Sequence, residues 1–159
     1  GGDVIMVQKW TKTLKFSNFT TTFDGKVTDT STWLMAKYRV PAQQVVRVGT
    51  GQIVNGVDDR GVFYLSIKDN SSPPEQIDGE YRITYLDANE LNKKVVKEGY
   101  TANVRTSKTV RDASNVLPET GPGVRQDSYV VIEFLPSVAG KTIDIDNCEL
   151  ELPVTIYTA

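Results

Sequence analysis

The sequence contains no histidine and a single cysteine, Cys148, in 159 residues. Each absence closes a class of chemistry. Without imidazole there is no Ser-His-Asp or Cys-His triad, no histidine-built metal site and no imidazole pH switch. With one thiol there is no intrachain disulfide and no multi-cysteine zinc or iron–sulfur site. Long apolar runs are also missing: no stretch of about 18 apolar residues could span a bilayer as a helix. No basic segment followed by an apolar one stands at the N-terminus. The chain begins Gly1-Gly2 in place of Met, which points to processing or to a trimmed start. An excess of positive charge is absent too. Eighteen Lys and Arg stand against 20 Asp and Glu, for a net charge of −2. Direct nucleic-acid binding, which needs a basic field to displace counterions, is not expected.

Strong helix formers are scarce. Alanine occurs 7 times and leucine 9, against 20 valines and 17 threonines. β-Branched residues suit a pleated surface, so the composition points to an all-β chain. Apolar residues alternate with polar ones in short runs: Trp10, Leu14 and Phe16; Leu34 to Val40; Phe63 to Ile67; Tyr81 to Tyr85; Tyr100 to Val104; Ile143 and Ile145; Leu150 to Ile156. Period-two patterning predicts strands with one buried face. Val45, Val46 and Val48 form a shorter apolar stretch. Tyr129 to Leu135 is apolar except at Glu133, which predicts a central strand covered on both faces, its one carboxylate in need of a partner.

Asp24-Gly25, Asn55-Gly56, Asp78-Gly79, Ser72-Pro73-Pro74 and Gly121-Pro122-Gly123 read as turns. Residues 106–126 lack periodicity and read as one long surface loop, of a length that usually serves a function. Residues 88–98 fit a helix or a hairpin, and the strands on both sides favour the hairpin. Residues 17–32 read as a loop or a polar edge strand. One domain over 1–159 follows from the length. Eight to ten strands fit a meander, a sandwich or a jelly roll; a single jelly-roll β-sandwich of about eight strands, with little helix, is the expected fold.

No residue set points to catalysis, and no catalytic residue, metal site or cofactor is expected. Asp58-Asp59-Arg60 and Asp87, Asn89 and Glu90 read as solvated or self-capping turns more readily than as cation sites. Cys148 has no activating neighbour in the sequence. Asn18-Phe19-Thr20 and Asn70-Ser71-Ser72 match the N-glycosylation pattern, a short motif that also occurs by chance. Trp10, Trp33 and the tyrosines mostly fall on inward stripes and read as core before they read as a sugar platform. Charge is segregated along the chain. Lys93, Lys94, Lys97, Arg105, Lys108 and Arg111 face only Glu98 as a counter-charge within 91–111. Asp144, Asp146, Glu149 and Glu151 lie in a final 18 residues without Lys or Arg. With strands at 142–146 and 150–156, Asp144 and Asp146 would share one face. These ten residues are the candidate subunit interface, since opposed charge suits packing between identical subunits.

Several stretches in order carry a resemblance: Tyr38-Arg39-Val40-Pro41-Ala42, Val46-Arg47-Val48-Gly49-Thr50-Gly51-Gln52 and Gly61-Val62-Phe63-Tyr64-Leu65, then Asp78-Gly79-Glu80-Tyr81-Arg82-Ile83 and Leu86-Asp87-Ala88-Asn89. Over roughly residues 38–105 the chain resembles the small major capsid proteins of tailless icosahedral, internal-membrane, double-stranded DNA viruses of archaea and thermophilic bacteria. The resemblance implies an upright single jelly roll that self-assembles into an icosahedral shell. It also implies a second capsid protein as partner, an internal viral membrane nearby, and a place in the virion. It supplies no catalytic residues. A carbohydrate-binding or adhesion sandwich, secreted or at a cell surface, is the alternative that the residues leave open.

Overall fold

The computed structural model describes residues 8–42, 44–48, 53–54, 57–58, 62–87, 93–101, 108–109 and 128–158. Most of the alternating runs among the described residues form strands. In chain order they are β1 (Gln8–Leu14), β2 (Leu34–Val40), β3 (Gln44–Val48), β4 (Ile53–Val54), β5 (Val57–Asp58) and β6 (Val62–Ser66). After them come β7 (Gly79–Leu86), β8 (Lys93–Tyr100), β9 (Lys108–Thr109), β10 (Ser128–Pro136) and β11 (Glu149–Thr158). All their pairings are antiparallel.

β3 and β6 lie end to end along the same edge of β11. Val48 pairs with Val154 and Gln44 with Thr158, while Ser66 pairs with Glu149 and Tyr64 with Glu151. They act as one strand, interrupted where β4 and β5 pair as a small hairpin. Counted so, eight strands make two sheets. One runs β1, β11, β3 with β6, then β9; the other runs β2, β10, β7, β8. In strand number these orders are 1-8-3-6 and 2-7-4-5, the double Greek-key winding of a jelly roll. The Phe63 ring on β6 meets Tyr81 on β7 at 5.3 Å, so the third strands of the two sheets face each other. β1 and β2 therefore share one lateral margin, and β8 and β9 the other.

The inward stripes of both sheets form one core, which includes Leu14, Ala36, Val46, Leu65, Ile83, Ile132, Phe134, Leu152 and Ile156. The Val48 N–H donates to the Tyr85 hydroxyl at 2.8 Å, a buried bond from one sheet to the other. Both faces of β10 are covered, with Val131 and Glu133 each 1% exposed. The apolar run at 129–135 therefore is the central strand its composition predicts. β11 is covered in the same way: Pro153 and Thr155 are buried as well as Leu152, Val154 and Ile156. Its alternating sequence concealed this, because a threonine and a proline occupy the second face.

β8 pairs antiparallel with β7, with a bulge beside Ile83 and Thr84, as the hairpin reading of 88–98 expects; residues 88–92 lie outside the described residues. Two expectations are corrected. Residues 142–146 are not a strand. Thr142 and Ile143 make single bridges to Val27 and Asp69, and Ile145–Asn147 then turn as a 3₁₀ helix. Trp10 lies on the core-facing side of β1, opposite Ile156, yet is 40% exposed because β1 is an edge strand. β8 ends at Tyr100, and residues 102–107, where the run to Val104 was expected to continue, lie outside the described residues. Within 106–126, Lys108–Thr109 pair with β6, and the remainder of that expected loop lies outside the described residues.

The polar tract 17–32 is mostly irregular. Thr21 bridges to Lys37 beside β2. Within it Phe19 and Phe23 are buried, and Phe23 packs on Phe16 at 5.7 Å and on Phe134 at 6.0 Å. Asp24-Gly25 is a turn, with Gly25 at φ +70°. Val54 pairs with Val57, and Asn55-Gly56 lie outside the described residues.

Candidate functional site

The candidate interface residues fall in two places. The basic set begins on β8, the outer strand of its sheet. Lys94 is exposed and Lys97 half-buried. Lys93 is turned to a structural task, its ammonium on Glu133 Oε1 at 2.5 Å. Lys108 has its backbone in β9, and its side chain lies outside the described residues, as do Arg105 and Arg111.

The acidic set lies at one end of the sandwich. Glu149 and Glu151 alternate outward at the start of β11, opposite Ser66 and Tyr64. With Asp146 they line a groove of about 590 Å³ whose other polar walls are Lys15, Ser17 and Thr22. Three carboxylates thus face one ammonium. Asp144 is not part of this wall. Its carboxylate caps the 3₁₀ turn, accepting from the Asp146 N–H at 3.0 Å and the Asn147 amide at 3.3 Å. The turn separates Asp144 from Asp146, where a strand would have put them on one face.

Cys148 follows that turn. Its thiol lies 3.2 Å from the Asp144 carbonyl and accepts from the Lys68 N–H at 3.2 Å. Burial is the main cause that pushes it up to about 11, so the thiolate is scarce at neutral pH and the group is a packing element.

The loop from β6 to β7 is held by Asp69. Its carboxylate accepts from the Ser71 N–H at 3.1 Å, the Ser71 hydroxyl at 2.5 Å and the Glu75 N–H at 2.8 Å. Lys141 reaches both Asp69, at 3.4 Å, and Glu75, at 2.5 Å. These donors, the Ser71 hydroxyl first, hold the Asp69 carboxyl well below the usual carboxylate range. The sign follows directly. The folded state binds this proton more weakly than the unfolded chain, so Asp69 contributes stability that is complete above about pH 5. That stability is lost as pH falls through about 3.9 toward the depressed folded value. Asp69→Asn keeps an acceptor for the two N–H groups but carries no charge. We expect its urea midpoint to fall less than the wild type's between pH 5 and pH 3; an equal fall in both proteins would remove Asp69 from the acid response.

Of the two glycosylation motifs, Asn18 spends its side-chain oxygen on the Lys15 N–H at 2.9 Å, and Asn70 is exposed in a bend. Trp33 packs outside the core, on Arg82. Among the described residues, no group of three or more His, Cys, Asp or Glu is placed to hold a metal ion.

The strand order defines a jelly-roll sandwich. No family model matches the chain, and no curated protein matches it. Among solved structures it is similar to a chain of the VP16-VP17 complex, a complex of the two major capsid proteins of bacteriophage P23-77. That likeness has 9% identity and a TM-score of 0.44, over 96% of this chain and 100% of that one. It is similar also to VP17, a capsid protein of bacteriophage P23-77, at 8% identity and a TM-score of 0.44, over 97% of this chain and 99% of that one.

Proposed function

We propose that this chain is a structural subunit of a viral shell, which assembles with copies of itself and with a second capsid protein and works in the virion. The observation that carries the reading is the placement of opposite charge on a jelly roll. An acidic groove formed by Asp146, Glu149 and Glu151 lies at one end, and the lysine-bearing strand β8 forms one margin. Jelly rolls serve as capsid, lectin and cupin domains. A chain without histidine has no imidazole-ligated centre. The order of strand and turn motifs over residues 38–105 supports the same reading. In the assembled state Lys94 and Lys97 of one copy meet the acidic groove of another. Surface charge of this kind sets the register between neighbours and speeds their encounter.

The test is concentration-dependent assembly, followed by sedimentation and electron microscopy. Symmetric oligomers or shells are expected at low ionic strength. Their dissociation constant should rise about tenfold or more at 1 M salt, where the Debye length is about 3 Å. A protein that stays monomeric at every concentration and ionic strength, alone and with its co-purifying capsid proteins, would refute the reading.

A further inference from the structure

The outer face of the β2–β10–β7–β8 sheet carries a second groove, of about 490 Å³, lined by Trp33, Glu80, Arg82, Glu98 and Tyr100. The register explains the grouping. Glu80 lies opposite Tyr100 and Arg82 opposite Glu98, so the four form a block on one face. Trp33, just before β2, crosses to this block, and the Arg82 guanidinium lies 3.6 Å from the centre of its ring. The charge of Arg82 is committed elsewhere, its Nε 3.2 Å from Glu133 Oε2. Among the described residues, neither the Glu80 nor the Glu98 carboxylate makes an ion pair or a hydrogen bond. Two uncommitted carboxylates therefore stand beside two aromatic rings, and Tyr100 is 38% exposed. Carboxylates and ring faces together attract an ammonium group. A neutral sugar would find less here, since the groove's cationic donor is already engaged and one face of the indole is already covered.

We propose that this groove receives Lys12 from a second copy of the chain, with Trp10 packing beside it. Lys12 and Trp10 are two residues apart on β1, on its core-facing side opposite Val154 and Ile156, and both stay exposed. An exposed indole and an ammonium on that side of an edge strand form a ridge complementary in charge and character to the groove. The ridge belongs to the β1–β2 margin and the groove to the β7–β8 side of the molecule. The contact joins unlike surfaces, so it repeats head to tail and closes into a ring when the rotation per subunit allows. The inference rests on the self-assembly proposed above and names one of its contacts.

The experiment measures self-association of the full chain by sedimentation equilibrium, with thermal melts to show that each variant folds. Glu98→Lys and Lys12→Glu are each expected to raise the dissociation constant by about tenfold or more. The variant carrying both reversals is expected to return to within about threefold of wild type, because the pair is restored with its signs exchanged. Glu80→Gln with Glu98→Gln, which keeps shape and removes charge, is expected to weaken association without reversing it. If the wild type assembles and these variants assemble equally well, the groove has no such occupant and the capsid reading stands. If each reversal weakens assembly and the combination does not recover, Lys12 is not the partner. A wild type that never associates overturns both.

Discussion

Arg82→Ala is expected to cost about 3 kcal/mol of folding stability, more than Glu133→Gln at the same network. Glu133 is 1% exposed, with Arg82 on one side and Lys93 on the other. Its Oε2 and the Arg82 Nε are 3.2 Å apart but off hydrogen-bond geometry, so their attraction is coulombic rather than directional. Removing one partner of a buried pair costs roughly 3–5 kcal/mol, because the remaining charge stays in low dielectric. The lower end applies here. Arg82 and Lys93 are 26% and 36% exposed, so water screens part of the interaction and Lys93 remains. The alanine also uncovers the Trp33 ring. Glu133→Gln leaves two cations that can turn to solvent, and about 1–2 kcal/mol is expected. Urea denaturation gives the order directly, and about 3 kcal/mol corresponds to a fall in Tm of roughly 6–12 °C for a domain of this size. If the glutamine variant proves the less stable of the two, the burden of the network lies on the cations and the account of Glu133 fails.

That network marks how far the sequence could be read. The lone carboxylate in the run at 129–135 announced both a doubly covered strand and a need for a partner. Nothing near it in the chain names that partner. Arg82 and Lys93 come from two other strands, and only the register of β7 between β8 and β10 brings them to Glu133. The alternating runs gave most of the strands because one buried face is enough to impose period two. They failed where burial does not follow the period. Phe19 and Phe23 sit in a tract of threonine, serine and aspartate, and the irregular backbone around them carries no period to detect. Ile143 and Ile145 alternate as a strand would, yet the Asp144 side chain accepts from the Asp146 N–H and ends the extension in a 3₁₀ turn.

The candidate interface shows the same limit. Charge segregation along the sequence was legible. Which charges remain available was not, because that depends on distant contacts. Lys93 is drawn to Glu133 and Asp144 to its own turn, whereas Asp146, Glu149 and Glu151 converge with Lys15 from the far end of the chain. The groove of Glu80, Glu98, Trp33 and Tyr100 gave no signal at all. Its carboxylates are 18 residues apart and meet only across the β7–β8 ladder.

Gly79→Ala is expected to destabilise the fold by about 3 kcal/mol, a large effect for one methyl group. Asp78-Gly79 reads as a turn in the sequence, but Gly79 is the first residue of β7 and pairs with Pro136 on β10. Its backbone is not in the left-handed region, so conformational freedom is not what the position demands. A Cβ there would run into the main-chain carbonyl of Leu135 and come within 2.7 Å of the Phe134 ring. Neither neighbour can yield cheaply. The carbonyl belongs to the central strand, and Phe134 is fully buried against Phe23. Inserting a methyl group into a packed core costs roughly 1–3 kcal/mol, and the upper end applies when backbone must move. Gly25 provides the contrast. It has φ +70° with nothing within 4 Å of an added Cβ. Gly25→Ala meets only the left-handed penalty, about 1–2 kcal/mol. Urea melts of the two variants separate close approach from backbone strain, and a Gly79→Ala protein no less stable than Gly25→Ala would mean that β7 and β10 are not locked at this end.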